Sequence, residues 1–136
     1  MKTDKIKGIV AYETGSGYVF PRGEPPETIS TNYGPVVGVE VPREDFLRLT
    51  KMPILVVYGD NIPDEPVRHP GSDYWRGVKI LTEKWVETIN RHGGGASFVH
   101  LPDMDIKGNT HFPFADLNNL ALADHLSAWL KEKRLD

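Results

Sequence analysis

A chain of 136 residues with 39% hydrophobic and 26% charged residues fits one soluble domain, residues 1–136. A formal charge of -3 without a Lys/Arg cluster argues against nucleic acid as a partner, because binding a polyanion needs a concentrated basic surface. No cysteine is present, which excludes a disulfide framework, a thiolate nucleophile and a zinc–thiolate site.

Met1-Lys2-Thr3-Asp4-Lys5 leads into an apolar strand without a leader-like stretch, and no run approaches the roughly 20 apolar residues of a membrane helix. The expectation is a cytoplasmic protein with no membrane association. Ile6 to Tyr12 is short, β-branched and mostly apolar, as a strand buried on both faces requires, and it ends at Glu13. The stretch 14–50 holds Pro21, Pro25, Pro26, Pro35 and Pro42 with Gly23, Gly34 and Gly38. Missing donors and a permissive backbone predict a mostly irregular, lid-like insert, with one helix from Pro42 to Leu49.

Pro53 to Gly59 is the clearest strand, and it too ends on an acid, Asp60. A loop with three prolines leads to a helix over about Tyr74 to His92. Its apolar face is Trp75, Val78, Leu81, Trp85 and Ile89, and Arg76, Glu83, Lys84 and Glu87 fall elsewhere. Gly93, Gly94 and Gly95 stop it. Ala96 to Leu101 reads as a third strand ended by Pro102. A loop carrying Gly108-Asn109-Thr110-His111-Phe112 precedes a last helix over about Leu117 to Lys133, predicted to bury Leu120, Ala123, Leu126 and Leu130.

Strands alternating with helices imply right-handed crossovers, a parallel sheet and an α/β fold. Ligands of such sheets sit outside the carboxyl ends of the strands, where Glu13, Asp60 and His111 all fall. A histidine there can act as general base if a carboxylate fixes its tautomer. His69, His92, His100 and His125 lack metal-ligand spacing, so no metal and no cofactor are expected. A nucleotide-binding reading fares poorly, since no glycine-rich loop follows a strand to open a helix.

The series Pro53-Ile-Leu-Val-Val-Tyr-Gly-Asp60, then Gly108-Asn-Thr-His-Phe112, then Asn118-Asn119 before a final Trp-Leu helix resembles the C-terminal half of the α/β-hydrolase superfamily. Within it, the chain is most similar to a bacterial carboxylesterase group whose histidine lies in a Gly-Asn-(Ser/Thr/Gly)-His motif. The resemblance implies a partial α/β-hydrolase fold, about three parallel strands corresponding to strands 6 to 8, and His111 as the histidine of a catalytic triad. The triad acid falls on Asp60 by the pattern of most of the superfamily and on Glu13 by that of the esterase group. Glu13 is preferred, with Asp60 then capping the turn after its strand.

The pattern breaks at the nucleophile. No Gly-x-Ser-x-Gly elbow exists: Thr14 replaces the first glycine before Ser16, and Tyr74 replaces the second after Ser72. The resemblance therefore implies a fragment, with the serine, the oxyanion loop and five strands lying before Met1, and an edge strand near Ile6 open to self-association. The expected function is the acid/histidine half of a serine esterase acting on a small carboxylic ester and inactive alone. Tyr18, Phe20 and Tyr33 would line its pocket or else form the core of the insert. The alternative is a non-catalytic remnant or interaction module.

Overall fold

Residues 5–136 are described by a computed structural model of the chain. The leaderless reading of Met1 to Asp4 lies outside them. The central sheet has three parallel strands in the order β1 (Ile9–Tyr12), β4 (Pro53–Tyr58), β5 (Gly95–His100). Ile9 is in register with Ile54, and Ile54 with Ala96. β4 is central because Ile54, Leu55, Val56, Val57 and Tyr58 are all buried, so both of its faces need a covering layer. β1 starts three residues later than the apolar run in the sequence and, like β5, is an outer strand.

One face of the sheet carries α2 (Pro70–Arg91) and the insert. Val78, Leu81, Trp85 and Ile89 of α2 pack with Ile54, Val56, Tyr58, Phe20 and Phe46. α2 begins at Pro70, earlier than predicted from its apolar face, because proline suits the first helical turn and His69 caps it by accepting the Ser72 N–H at 3.2 Å. Gly93 at φ 86° ends it, and Gly94 N–H reaches back to Ile89 O at 2.9 Å. Arg76, expected away from the core, is buried instead. Its Nε donates to Asp73 Oδ1 at 2.7 Å and its guanidinium to Ser30 O at 3.1 Å, so the charge is compensated inside.

The insert is less irregular than proline and glycine content implies. Two short parallel strands, β2 (Val19–Pro21) and β3 (Val39–Val41), pair within it, and Ile29 bridges Val36. The expected helix is a single turn, α1 (Arg43–Phe46), running on as a 3-10 turn over Leu47–Lys51. Asp73 anchors the insert by accepting Asn32 N–H at 2.7 Å, and Glu24 joins it to the end of α2 through Arg91 and His92. Tyr58 donates to Thr14 O at 2.5 Å and bonds Tyr18 and Thr82, and burial pushes its phenol well above the ordinary range.

The other face carries α3 (Asn119–Glu132), with Leu101, Ile106 and Leu135 from outside the helix packed beside it. Leu122 and Trp129, two turns apart, contact Leu55, Val57 and Leu101, with Leu130 at the margin. The predicted stripe is corrected here: Leu120 and Ala123 are exposed, because the broad Trp129 indole takes the sheet-facing position and turns Leu120 away. Among the described residues no helix is long and apolar enough to cross a membrane.

Candidate active site

Glu13 leaves β1 at its carboxyl end. Its N–H still donates to Val57 O at 2.9 Å, as if the β1–β4 ladder continued, but its φ of 42° turns the chain out of the sheet. A non-glycine residue in that left-handed region carries strain of about 1–3 kcal/mol, held by the surrounding bonds. The turn drives the side chain inward, to 4% exposure. Oε1 accepts the Gly59 N–H at 2.7 Å, and Oε2 lies 2.5 Å from His111 Nδ1.

Gly59 is indispensable to this geometry. A Cβ there would stand 2.6 Å from Glu13 Oε1 and 2.9 Å from Thr110 O, closer than real Cβ atoms come. The glycine lets the end of β4, the acid and the histidine loop meet at one point.

The histidine loop is ordered by polar contacts in place of regular structure. After a 3-10 turn (Leu101–Met104), Asp105 and Gly108 adopt positive φ. Asn109 is fully buried, and its amide exchanges two hydrogen bonds with the Asn118 amide, at 2.8 and 2.9 Å. Asp116 accepts the Thr110 N–H at 2.7 Å and its hydroxyl at 3.0 Å. Together these satisfy the buried groups of a loop that has no ladder of its own.

Asp60 does not pair with His111. Its Oδ2 accepts the Gly108 N–H at 2.9 Å and its Oδ1 the Asn61 N–H at 2.7 Å, while its own N–H donates to Asn109 O at 3.2 Å. The Gly108 amide, then that of Asn61, holds its carboxyl below the usual range. Asp60 thus ties the strand end to the loop, and of the three residues singled out in the sequence only Glu13 and His111 are bonded to each other.

His111 packs against Trp75, ring centroids 4.4 Å apart, and its side chain remains 46% exposed. A carboxylate can only accept, so the His111–Glu13 bond places the imidazole proton on Nδ1 and the lone pair on Nε2. Among the described residues no hydroxyl bonds His111. The imidazole lines a cavity of about 310 Å³ with Glu13, Asn61, His69, Ser72 and Trp75. Ser72 faces His69 Nδ1 at 3.1 Å, at the start of α2, and Ser16 sits in an exposed turn. Among the described residues no group of three or more His, Asp or Glu is arranged to hold a metal ion.

Of the aromatics proposed for a pocket, Tyr18 and Phe20 are buried in the core beneath the insert, and exposed Tyr33 packs edge-on to Tyr74. Four residues of the site were not assigned a role from the sequence: Gly59, Asn109, Asp116 and Asn118. Gly-Asn before the histidine suits a turn, but gives no sign of a buried amide that locks it.

No protein-family model and no curated protein sequence matches the chain. A solved structure of a bacterial esterase is similar at 26% identity, with a TM-score of 0.65. The similarity covers 94% of this chain but 31% of that one, so this chain spans about a third of the esterase's length. The mixed α/β architecture is consistent with a partial esterase-like fold.

Proposed function

We propose that the chain supplies the acid and histidine of a serine esterase for small carboxylic esters, with Glu13 as the acid and the nucleophilic serine carried by residues outside it. One observation carries this reading: the 2.5 Å contact of His111 Nδ1 with a buried carboxylate whose second oxygen is fixed by the Gly59 amide. In the reaction Nε2 takes the serine hydroxyl proton as that oxygen attacks the ester carbonyl. Glu13 stabilises the imidazolium, which then gives the proton to the departing alcohol. The esterase likeness supports the reaction class. By this reading the segment corresponds to strands 6 to 8 of an α/β-hydrolase, residues 14–50 form a lid-like insert over it, and the protein works in the cytoplasm.

Joined to a segment bearing a Gly-x-Ser-x-Gly elbow, the chain should hydrolyse p-nitrophenyl acetate, and His111→Ala should abolish that hydrolysis. Full activity in His111→Ala would overturn the assignment. The second reading, a non-catalytic interaction module, draws on the absence, among the described residues, of a hydroxyl bonded to His111. It requires that the joined protein stay inactive while still folding.

A further inference from the structure

We propose that His111 is itself an acyl-accepting nucleophile, giving this chain a slow hydrolysis of activated acyl donors such as aryl esters. The reading needs no serine from elsewhere and stands on the site's own geometry. Three features of that geometry combine. The proton is held on Nδ1 by Glu13, which leaves the Nε2 lone pair free of any protein hydrogen bond among the described residues. The ring is half-exposed on a cavity of about 310 Å³, large enough for a small aryl ester. Finally, the nitrogen that becomes acidic when its partner is acylated already contacts a proton acceptor.

The last feature, on a ring that is half-exposed, sets His111 apart from His92, whose ring also meets a carboxylate but is only 10% exposed. As Nε2 bonds to the ester carbonyl carbon, positive charge develops on the ring. The carbon–oxygen bond breaks with its electron pair on the phenolate, and the Nδ1 proton passes to Glu13 Oε2, leaving a neutral N-acylimidazole. Water then adds its hydroxyl to the acyl carbon and releases its other proton to solvent. The carbon–nitrogen bond breaks with its electrons on Nε2, and the proton on Glu13 returns to Nδ1. His100 Nε2 is unpartnered but buried, and the largely enclosed His92 has its Nε2 2.8 Å from Glu24, so neither ring presents a nitrogen to a substrate. His69 lines the same cavity, but its Nδ1 is engaged at the cap of α2 and no carboxylate bonds its ring.

The leaving group defines the substrate class. An alkoxide leaves less readily than imidazole, so attack on an alkyl ester collapses back to reactants, whereas a phenolate departs first. Activated donors should therefore be turned over by the chain alone, and simple alkyl esters should not. That separates this activity from the serine-dependent reaction, which includes alkyl esters.

The test measures p-nitrophenyl acetate hydrolysis by the whole chain. The rate should exceed that of its five histidines counted as free imidazole. It should fall to that background in His111→Gln, fall roughly 100-fold in Glu13→Gln, where proton acceptance is lost, and stay unchanged in His125→Gln. In the unaltered protein, rapid quenching followed by mass spectrometry should find the acyl group on His111. A rate retained in His111→Gln, no acyl group on His111 in the quenched protein, or an acyl group found instead on a serine or threonine would each overturn the proposal. Failure here with activity in the joined protein would leave the serine reading intact, and the reverse outcome would remove only that reading.

Discussion

The two faces of the central sheet are covered very differently. On the α2 face a 22-residue helix and the insert bury Phe20, Phe46, Ile54, Leu81 and Ile89 completely. On the α3 face a 14-residue helix reaches the sheet through Leu122 and Trp129, while Phe112, Phe114, Leu117 and Leu120 stay exposed nearby. Burial of apolar area is the main favourable term in folding, so the α2 face carries most of the stability and the α3 face comparatively little. The candidate site lies where the two meet. Glu13 and Gly59 come from the firm strands, and His111 from the loop that precedes the weakly held helix. The lesson is that the acid is positioned by the sheet, whereas the histidine is positioned by polar latches.

The contrast breaks most directly in paired truncations. Leu81→Ala should cost roughly 4 kcal/mol in chemical denaturation and Leu122→Ala about 2 kcal/mol, because the α3 face, with fewer buried side chains around it, can collapse further into the cavity. Equal costs would mean that the α3 face is as well packed as its opposite. Next in size is Gly59→Ala. The added methyl must displace either the Glu13 carboxylate or the Thr110 carbonyl, at about 1–3 kcal/mol. It should also separate the acid from the imidazole, so a crystal structure of the variant with the 2.5 Å contact intact would refute the role given to this glycine.

A smaller effect sharpens the comparison at low pH. Asp73, which ties the insert to α2, has its carboxyl held down to about 2, chiefly by Arg76 and then by the Asn32 amide. Its folded-state value is below the ordinary carboxylate value near 3.9, so its contribution is complete above about pH 4 and is lost as pH falls towards 2. Thermal melts across that range should show the α2 face weakening in the native protein. Asp73→Asn should melt lower at neutral pH and lose less on acidification. An identical acid dependence in the two proteins would show that other carboxylates govern it.

Much of this arrangement was legible in the residues. Five consecutive apolar side chains between Pro53 and Gly59, too few for a helix of ordinary length, read as a strand covered on both faces, and an acid directly after such a strand stands on the ligand-bearing rim. The spacing of Val78, Leu81, Trp85 and Ile89 fixed the inward face of α2. Other features depended on contacts that no local pattern records. Arg76 turns inward because Asp73, one turn away, and Ser30, in the insert, compensate it. Gly59 matters because of atoms contributed by β1 and by the loop some fifty residues on. Asn109 reads as a turn residue until Asn118 and Asp116 close around it. In α3 the leucines outnumber the tryptophan, yet the larger side chain decides which face is buried.

The central claim is the bond between His111 and Glu13, and proton NMR of the chain in water tests it most directly. A strong Nδ1–H···carboxylate bond should give a single imidazole proton resonance far downfield of the amide region, and it should vanish in both His111→Gln and Glu13→Gln. Absence of that resonance in the native protein, or its survival in Glu13→Gln, would contradict the account.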